Sequence, residues 1–227
     1  MIEELLDRPA VGSDGFHAPE HPALLPEEEI ASSSMSRERR LKFAAVRTCA
    51  REGLRRLGVS TAPILRGPSG EPVWPSGIVG SMTHCTGYHA AAVAPSDEVA
   101  AIGIDAEANR PLRYREMLGL ITTAEERAWI AEMESAYPEV SWARLVFTAK
   151  ESVFKAWFSL TRHRLGLGEI LVHVNPLSGE FHARTSTPHG SAGDAFPNRL
   201  TGRWMARDGL LVAALSIRRS ARMHEEV

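Results

Sequence analysis

Phe147-Thr148-Ala149-Lys150-Glu151-Ser152-Val153-Phe154-Lys155-Ala156-Trp157 is the stretch from which the rest of the chain can be read. Phe147, Phe154 and Phe158 recur at helical spacing, and Glu151 and Lys155 lie four apart on the neighbouring stripe. The segment therefore predicts one amphipathic helix. Its lysines stand out against the composition. The 26 basic residues comprise 23 arginines and only three lysines, Lys42, Lys150 and Lys155. Two of the three flank a single glutamate. Lysine carries a compact, titratable charge, which suits a phosphate ligand or an acid. An exposed ion pair on a solvated helix face accounts for the same pattern, so the stretch alone leaves both readings open.

The bulk properties narrow the classes. A chain of 227 residues forms one large domain or two small ones and can bury a core. A net charge of −2 argues against a broad nucleic-acid surface and leaves room for a local basic pocket. Two cysteines, Cys49 and Cys85, are too few for a disulfide framework or a structural zinc site. The opening residues include Glu3, Glu4 and Asp7 and lack the basic region of a secretory signal. No stretch approaches the roughly 20 apolar residues that span a bilayer. The expected location is cytoplasmic. No P-loop or dinucleotide-binding glycine pattern occurs.

Working outward in chain order, residues 1–35 read as a loop-rich lead-in with one short strand or helix. Ser36 is placed to cap a helix over residues 37–57, which Gly58 ends. Leu41, Ala45, Cys49 and Leu57 form its expected core face. Arg40, Arg47 and Arg51 fall in one sector, and Arg51, Arg55 and Arg56 read as solvated. Prolines and glycines make residues 61–77 a looping connection with Arg66 as its one obvious functional side chain. Two short strands follow over residues 79–94, and a central apolar strand over 99–105. Thr122 or Thr123, with a glutamate three residues on, opens a helix to about Ser135 through a capping box. Ser141 opens the lysine-bearing helix. Residues 170–174 and 180–184 form one hairpin, and residues 200–205 and 210–217 another. Residues 186–198 read as an irregular loop, and the tail after Arg218 as frayed.

Gly103-Ile104-Asp105-Ala106-Glu107 ends the central strand. Alternation puts Asp105 and Glu107 on one side and Ile104 and Ala106 on the other. Two carboxylates at a strand end suit a hard cation such as Mg²⁺, which takes one or two protein acids and leaves other positions to water and substrate phosphates. A solvated strand end explains a bare Asp-x-Glu equally well.

The two stretches together resemble the 4′-phosphopantetheinyl transferase superfamily. Its signature motifs are G-[IV]-D-x-E and, about 44 residues on here, [FW]-[ST]-x-K-E-[SA]-x-x-K. Both are complete in this chain, and the resemblance runs from about Arg37 to Ile217. Chain length is similar to the family's larger, monomeric kind. The segment Glu20-His-Pro-Ala-Leu-Leu-Pro-Glu-Glu28 and Gly80-Ser81-Met82-Thr83-His84-Cys85 look most like the enterobactin-synthetase-associated branch. The resemblance implies an α+β fold of two pseudo-symmetric halves, each a small, mostly antiparallel sheet packed with helices, with the active site at their interface. The halves are expected at residues 1–110 and 111–227.

It further implies transfer of phosphopantetheine from coenzyme A to a serine of acyl or peptidyl carrier proteins, with release of 3′,5′-ADP. The carriers are those of polyketide, fatty-acid, non-ribosomal peptide or siderophore assembly. Asp105, Glu107 and Glu151 are the implied ligands of Mg²⁺, with Mn²⁺ an alternative. Either Glu151 or a water on the metal is the implied base. Lys155 would protonate or neutralise the leaving phosphate, and Lys150 would support the phosphates nearby. For the 3′-phosphate of coenzyme A the resemblance gives Arg39, Arg47, Arg66 and His84, with Ser81 and Thr83 offering hydroxyls or amides. Arg39 against Arg40 stays open. Guanidinium forks match phosphate oxygens bidentately, which gives the arginines a physical reason.

Two departures accompany the resemblance. Ala106 stands where some members have a third acid, so a water would fill that position. Gly70-Glu71-Pro72 replaces a Gly-[KR]-Pro, which shifts the basic role toward Arg66. Glu125 or Glu126 could be a further acid near the metal, but a capping box explains either. Carrier contact is expected along residues 112–121, through Met117, Leu118 and Leu120, unless these are core. The rival functions are a catalytically silent coenzyme A or carrier-binding module and a Mg²⁺-dependent phosphohydrolase of coenzyme A.

Overall fold

The structure, a computed structural model, describes residues 1–17, 23–112, 115–186 and 197–219, without the side chains of 115–117. A 3-10 turn, Ile2–Leu5, leads into strand β1, Val11–Phe16, and helices α1, Pro26–Ser32, and α2, Arg37–Arg56. Strands β2, Ile78–Cys85, β3, Tyr88–Pro95, and β4, Val99–Ala108, follow. Then come helices α3, Arg115–Ile121, α4, Ala124–Ala136, and α5, Trp142–Thr161. Strands β5, Ile170–Val174, β6, Glu180–Thr185, β7, Leu200–Arg207, and β8, Leu210–Arg218, complete the order. This is an α+β fold whose described strands pair antiparallel throughout.

The strands form two sheets, one of order β1-β3-β2 and one of order β4-β8-β7-β6-β5. β4, which carries Asp105 and Glu107, pairs along its length with β8, from Val99 opposite Arg218 to Ala108 opposite Leu210. A division at residue 110 assigns this strand to the first half, whereas its hydrogen bonds place it in the second sheet. The sequence order hides this because the partner strand lies about a hundred residues later.

Local chemistry explains the helix boundaries. Ser36 accepts a hydrogen bond from the Arg39 amide at 3.3 Å and caps α2, and Gly58 beyond its end has φ +73°. Thr123, rather than Thr122, is the cap of α4 and exchanges bonds with Glu126 in a capping box. The β7–β8 hairpin turns at Asp208 and Gly209, both with positive φ.

Three apolar clusters stack the layers. Cys49, Ala50 and Leu54 of α2 pack on Ala91 and Val93 of β3. Of the expected core face, Ala45 and Cys49 are buried and Leu57 packs against this cluster, whereas Leu41 is only half-buried and outside it. Ala90, Ala92 and Ala94, on the opposite face of β3, join Ile102 and Ile104 of β4 and Val212 and Ala214 of β8. Leu145, Val146, Ala149, Val153 and Ala156 of α5 cover the remaining face of the second sheet. Phe147, Phe154 and Phe158 are half-buried, and Phe154 packs against the edge of this cluster. Residues 187–196 and the tail from 220, expected to be irregular, lie outside the described residues, as do Glu20, His21 and Pro22.

Candidate active site

The site is built where β2, β4 and α5 meet. α5 approaches β4 at Gly103, where a Cβ would fall 1.8 Å from the Ser152 carbonyl oxygen and 3.0 Å from the Ala156 amide. Only a glycine permits backbone to lie on backbone here. That contact brings Lys155 over the next strand residues. Its Nζ donates to Asp105 Oδ1 at 2.7 Å and to the Ile104 carbonyl at 3.0 Å, with the Met82 carbonyl of β2 at 3.5 Å. The ammonium is therefore bound to both sheets at once.

Two hydroxyls of β2 join the sheets beside it. Ser81 Oγ accepts from the Ile104 amide at 3.2 Å, and Thr83 Oγ1 accepts from the Ala106 amide at 3.2 Å. These serve β4 amides that point away from β8. Thr83 in turn donates to Asp105 Oδ1 at 3.0 Å. Both hydroxyls are buried and engaged in joining β2 to β4, and Thr83 also fixes Asp105; Ser81 lines the cavity beside Lys155 as well. No pattern in the sequence pointed to that role, because it depends on which strand edges meet.

Asp105 is buried, and its second oxygen, Oδ2, has no hydrogen-bond partner among the described residues. A buried carboxylate oxygen left without a donor is costly unless a cation serves it. Glu107 and Glu151 are half-buried close by. Burial raises the pKa of Glu151 from the ordinary carboxylate range, opposed by Lys155 and reinforced by Asp105 and Glu107. Burial and then Asp105 likewise raise Glu107, opposed by Arg144 and Lys155. Asp105 thus makes the ionisation of Glu107 and Glu151 harder, and a site with these two charged favours a cation. Among the described residues no three acid, histidine or cysteine side chains already converge on one point. Glu107 is instead turned toward Arg144, whose Nη1 lies 2.9 Å from its Oε2.

A cavity of about 420 Å³ opens beside Lys155. Trp74 and Met82 line it from the first sheet and its connection, and Phe154 and Phe158 from α5. Glu71 and Arg162 face each other across it at 3.4 Å. The aromatic stripe of α5 thus serves a cleft wall.

Two expected phosphate ligands are placed otherwise. Lys150 is fully buried on the core side of α5, donating to the Ile121 carbonyl and to Glu126 Oε2 at 2.9 Å. Glu126 also takes the Val172 amide of β5 at 2.9 Å, so it and Lys150 tie α4, α5 and the sheet edge together. Lys150 is one residue from Glu151 and hence about 100° around the helix, which turns it away from Lys155.

Arg47 is also buried. Its Nε donates to the Ile64 carbonyl at 2.6 Å, its Nη1 donates to the Phe43 carbonyl at 3.1 Å, and its Cζ lies 3.2 Å from the centroid of the Phe43 ring. Burial lowers its pKa to about 10. Arg51, read as solvated, instead donates to both oxygens of the fully buried Glu28, which also accepts the Ile64 amide at 2.9 Å. These arginines hold the connection that forms one wall of the cavity.

Arg39 and Arg66 are exposed and pair with no carboxylate among the described residues, whereas Arg40 reaches Glu29 at 3.4 Å. His84 reaches solvent at the end of β2, and its pKa is lowered by burial, Lys42 and Lys155. Leu118 is half-buried and Leu120 exposed, while the side chain of Met117 lies outside the described residues. No described helix is long and apolar enough to cross a membrane.

The comparisons with known proteins identify the family. Residues 26–94 match the family model described as the 4′-phosphopantetheinyl transferase N-terminal domain, and residues 101–201 match the 4′-phosphopantetheinyl transferase superfamily. The 4′-phosphopantetheinyl transferase Svp of Streptomyces mobaraensis is 44% identical over 229 residues, covering 100% of this chain and 93% of its own. The chain belongs to the 4′-phosphopantetheinyl transferase superfamily. The 4′-phosphopantetheinyl transferase PptT of Mycobacterium tuberculosis is 39% identical over 196 residues, 84% of this chain and 85% of that one. Enterobactin synthase component D of Escherichia coli is 36% identical over 121 residues, 53% and 55% of the respective chains. The enzyme is a phosphopantetheinyl transferase, and the two family matches meet between residues 94 and 101, just ahead of the Asp-x-Glu strand.

Proposed function

We propose that this transferase takes phosphopantetheine from coenzyme A, with Asp105, Glu107, Glu151 and Lys155 carrying the chemistry. The observation that supports the assignment is the buried, unpartnered Oδ2 of Asp105, held by Thr83 and Lys155 through its other oxygen. An acid fixed in that way is prepared for a cation, and Glu107 and Glu151, whose ionisation Asp105 already opposes, are the neighbouring carboxylates that would join it on the metal. When bound, Mg²⁺ or Mn²⁺ supplies charge neutralisation at the diphosphate.

The chain's own groups then act as follows. Glu151, whose pKa lies above the ordinary carboxylate range, is poised to accept a proton from the carrier serine as its oxygen attacks the β-phosphorus. The bond from that phosphorus to the leaving 3′,5′-ADP oxygen breaks, and Lys155 neutralises or protonates that oxygen. Positioning and charge neutralisation supply most of the rate in such a transfer. Arg39, Arg66 and His84 are the accessible candidates for the 3′-phosphate, since Arg47 and Lys150 are engaged inside the protein. The aromatic cavity beside Lys155 suits the less polar arm of coenzyme A.

Carrier domains of polyketide, fatty-acid, non-ribosomal peptide or siderophore synthases are the acceptors we assign, with residues 112–121 as their contact. Exposed Leu120 supports that placement. A monomer acting in the cytoplasm completes the reading. Removing divalent metal with a chelator should stop labelling of an apo carrier by coenzyme A, and adding back Mg²⁺ should restore it. Labelling that persists without metal excludes the proposed role of the three acids.

A further inference from the structure

We propose that Arg144 is a positioning residue that holds Glu107 in register for the metal and ties it to the segment leading into α3. The inference rests on the metal reading above. Arg144 lies in the first turn of α5, two turns before Glu151, and its side chain is only 11% exposed. One guanidinium serves three acceptors on different parts of the chain. Nη1 donates to Glu107 Oε2 at 2.9 Å, Nε to the Arg110 carbonyl at 3.2 Å and Nη2 to the Pro111 carbonyl at 3.0 Å.

A solvated surface ion pair holds one long side chain loosely against another and contributes little. Here the planar fork is pinned by two backbone carbonyls, so its third donor has a fixed direction. That direction fixes the Glu107 carboxylate through one oxygen only. The other, Oε1, makes no hydrogen bond or ion pair among the described residues. A carboxylate held by one oxygen and free at the other is the arrangement by which outer hydrogen bonds orient metal ligands. Nothing else among the described residues holds this acid. Asp105, by contrast, is fixed by Thr83 and Lys155.

The test is a thermodynamic cycle on metal binding, read by electron paramagnetic resonance of Mn²⁺ titrated into the full chain with coenzyme A present. Arg144→Gln should weaken Mn²⁺ binding about 10- to 100-fold, the range found when such outer partners are removed. Glu107→Gln should weaken it too, and the double variant should bind no worse than Glu107→Gln alone, because Arg144 acts through Glu107. Equal or tighter binding by Arg144→Gln overturns the proposal. So does a double variant whose losses multiply. Where Arg144→Gln fails to fold by circular dichroism, Arg144→Lys carries the same cycle, since a point charge cannot hold the fork; binding equal to the wild type then overturns the proposal. Failure of the wild type itself to bind Mn²⁺ removes the metal reading, and this proposal with it.

Discussion

Gly103 and Ser152 touch backbone to backbone: a Cβ on the strand residue would lie 1.8 Å from the helix carbonyl oxygen. This contact sets the distance between the strand that carries Asp105 and the helix that carries Glu151 and Lys155. Gly103→Ala must push α5 away from β4. It should cost roughly 1–3 kcal/mol or more, the usual range for overpacking, seen as a lower thermal midpoint. The folded fraction should also lose transferase activity, because the bond from Lys155 to Asp105 lengthens. Unchanged activity in a folded Gly103→Ala protein counts against this account of the motif glycine.

Glu151→Gln should abolish transfer while leaving the fold at least as stable as the wild type at neutral pH. The sign follows from linkage. Burial raises the pKa of Glu151 in the folded state, so between the ordinary carboxylate value and the raised one the folded chain binds more protons than the unfolded chain. Its contribution to stability therefore falls as pH rises through that window. Activity runs the other way, since a base must be ionised. At limiting Mg²⁺, where the metal-free protein predominates, kcat/KM should decline on the acid side at a pH above that of ordinary carboxylates, tracking Glu107 and Glu151, and saturating Mg²⁺ should move that decline to lower pH. Residual turnover in Glu151→Gln removes this residue from the mechanism.

Lys150→Met should act through stability. It leaves Glu126 buried without its cation, and breaking a buried pair costs about 3–5 kcal/mol. Thermal unfolding should show the loss, while whatever protein folds should keep its KM for coenzyme A. A selective rise in that KM with an unchanged melting temperature contradicts the structural role found for Lys150.

Thr83→Val removes the hydroxyl that serves both Asp105 Oδ1 and the Ala106 amide. A buried amide left unpaired costs about 1–3 kcal/mol, and Asp105 loses one of its two restraints. Transfer should slow, and Thr83→Ser should restore most of it. If the valine and serine variants are equally slow, the hydroxyl is not what positions Asp105.

The elements of the fold were legible because the local signals were strong. Ser36 with Gly58 bounded α2, the capping box at Thr122 or Thr123 opened α4, and a continuous apolar run marked β4. The two motifs singled out Asp105 and Lys155, which the structure pairs at 2.7 Å. What the sequence hid depends on long-range pairing and on rotation about a helix. The β4–β8 ladder joins residues a hundred positions apart, so a division at 110 could not reveal which sheet holds Asp105. Arg47 and Arg51 read as ligand and solvated surface because nothing local announced Glu28, 0% exposed and lying on a separate short helix. Lys150 sits beside Glu151 in sequence yet turns into the core, since neighbouring helix residues do not share a face. The bonds of Ser81, Thr83 and Arg144 left no trace in composition or spacing.

The most direct test is intact-mass spectrometry of an apo carrier protein incubated with the transferase, Mg²⁺ and coenzyme A, with Glu151→Gln run in parallel. The account predicts that the carrier gains one phosphopantetheinyl group with the wild type and none with the variant. An unmodified carrier with coenzyme A intact, or with coenzyme A consumed and no transfer, would contradict it.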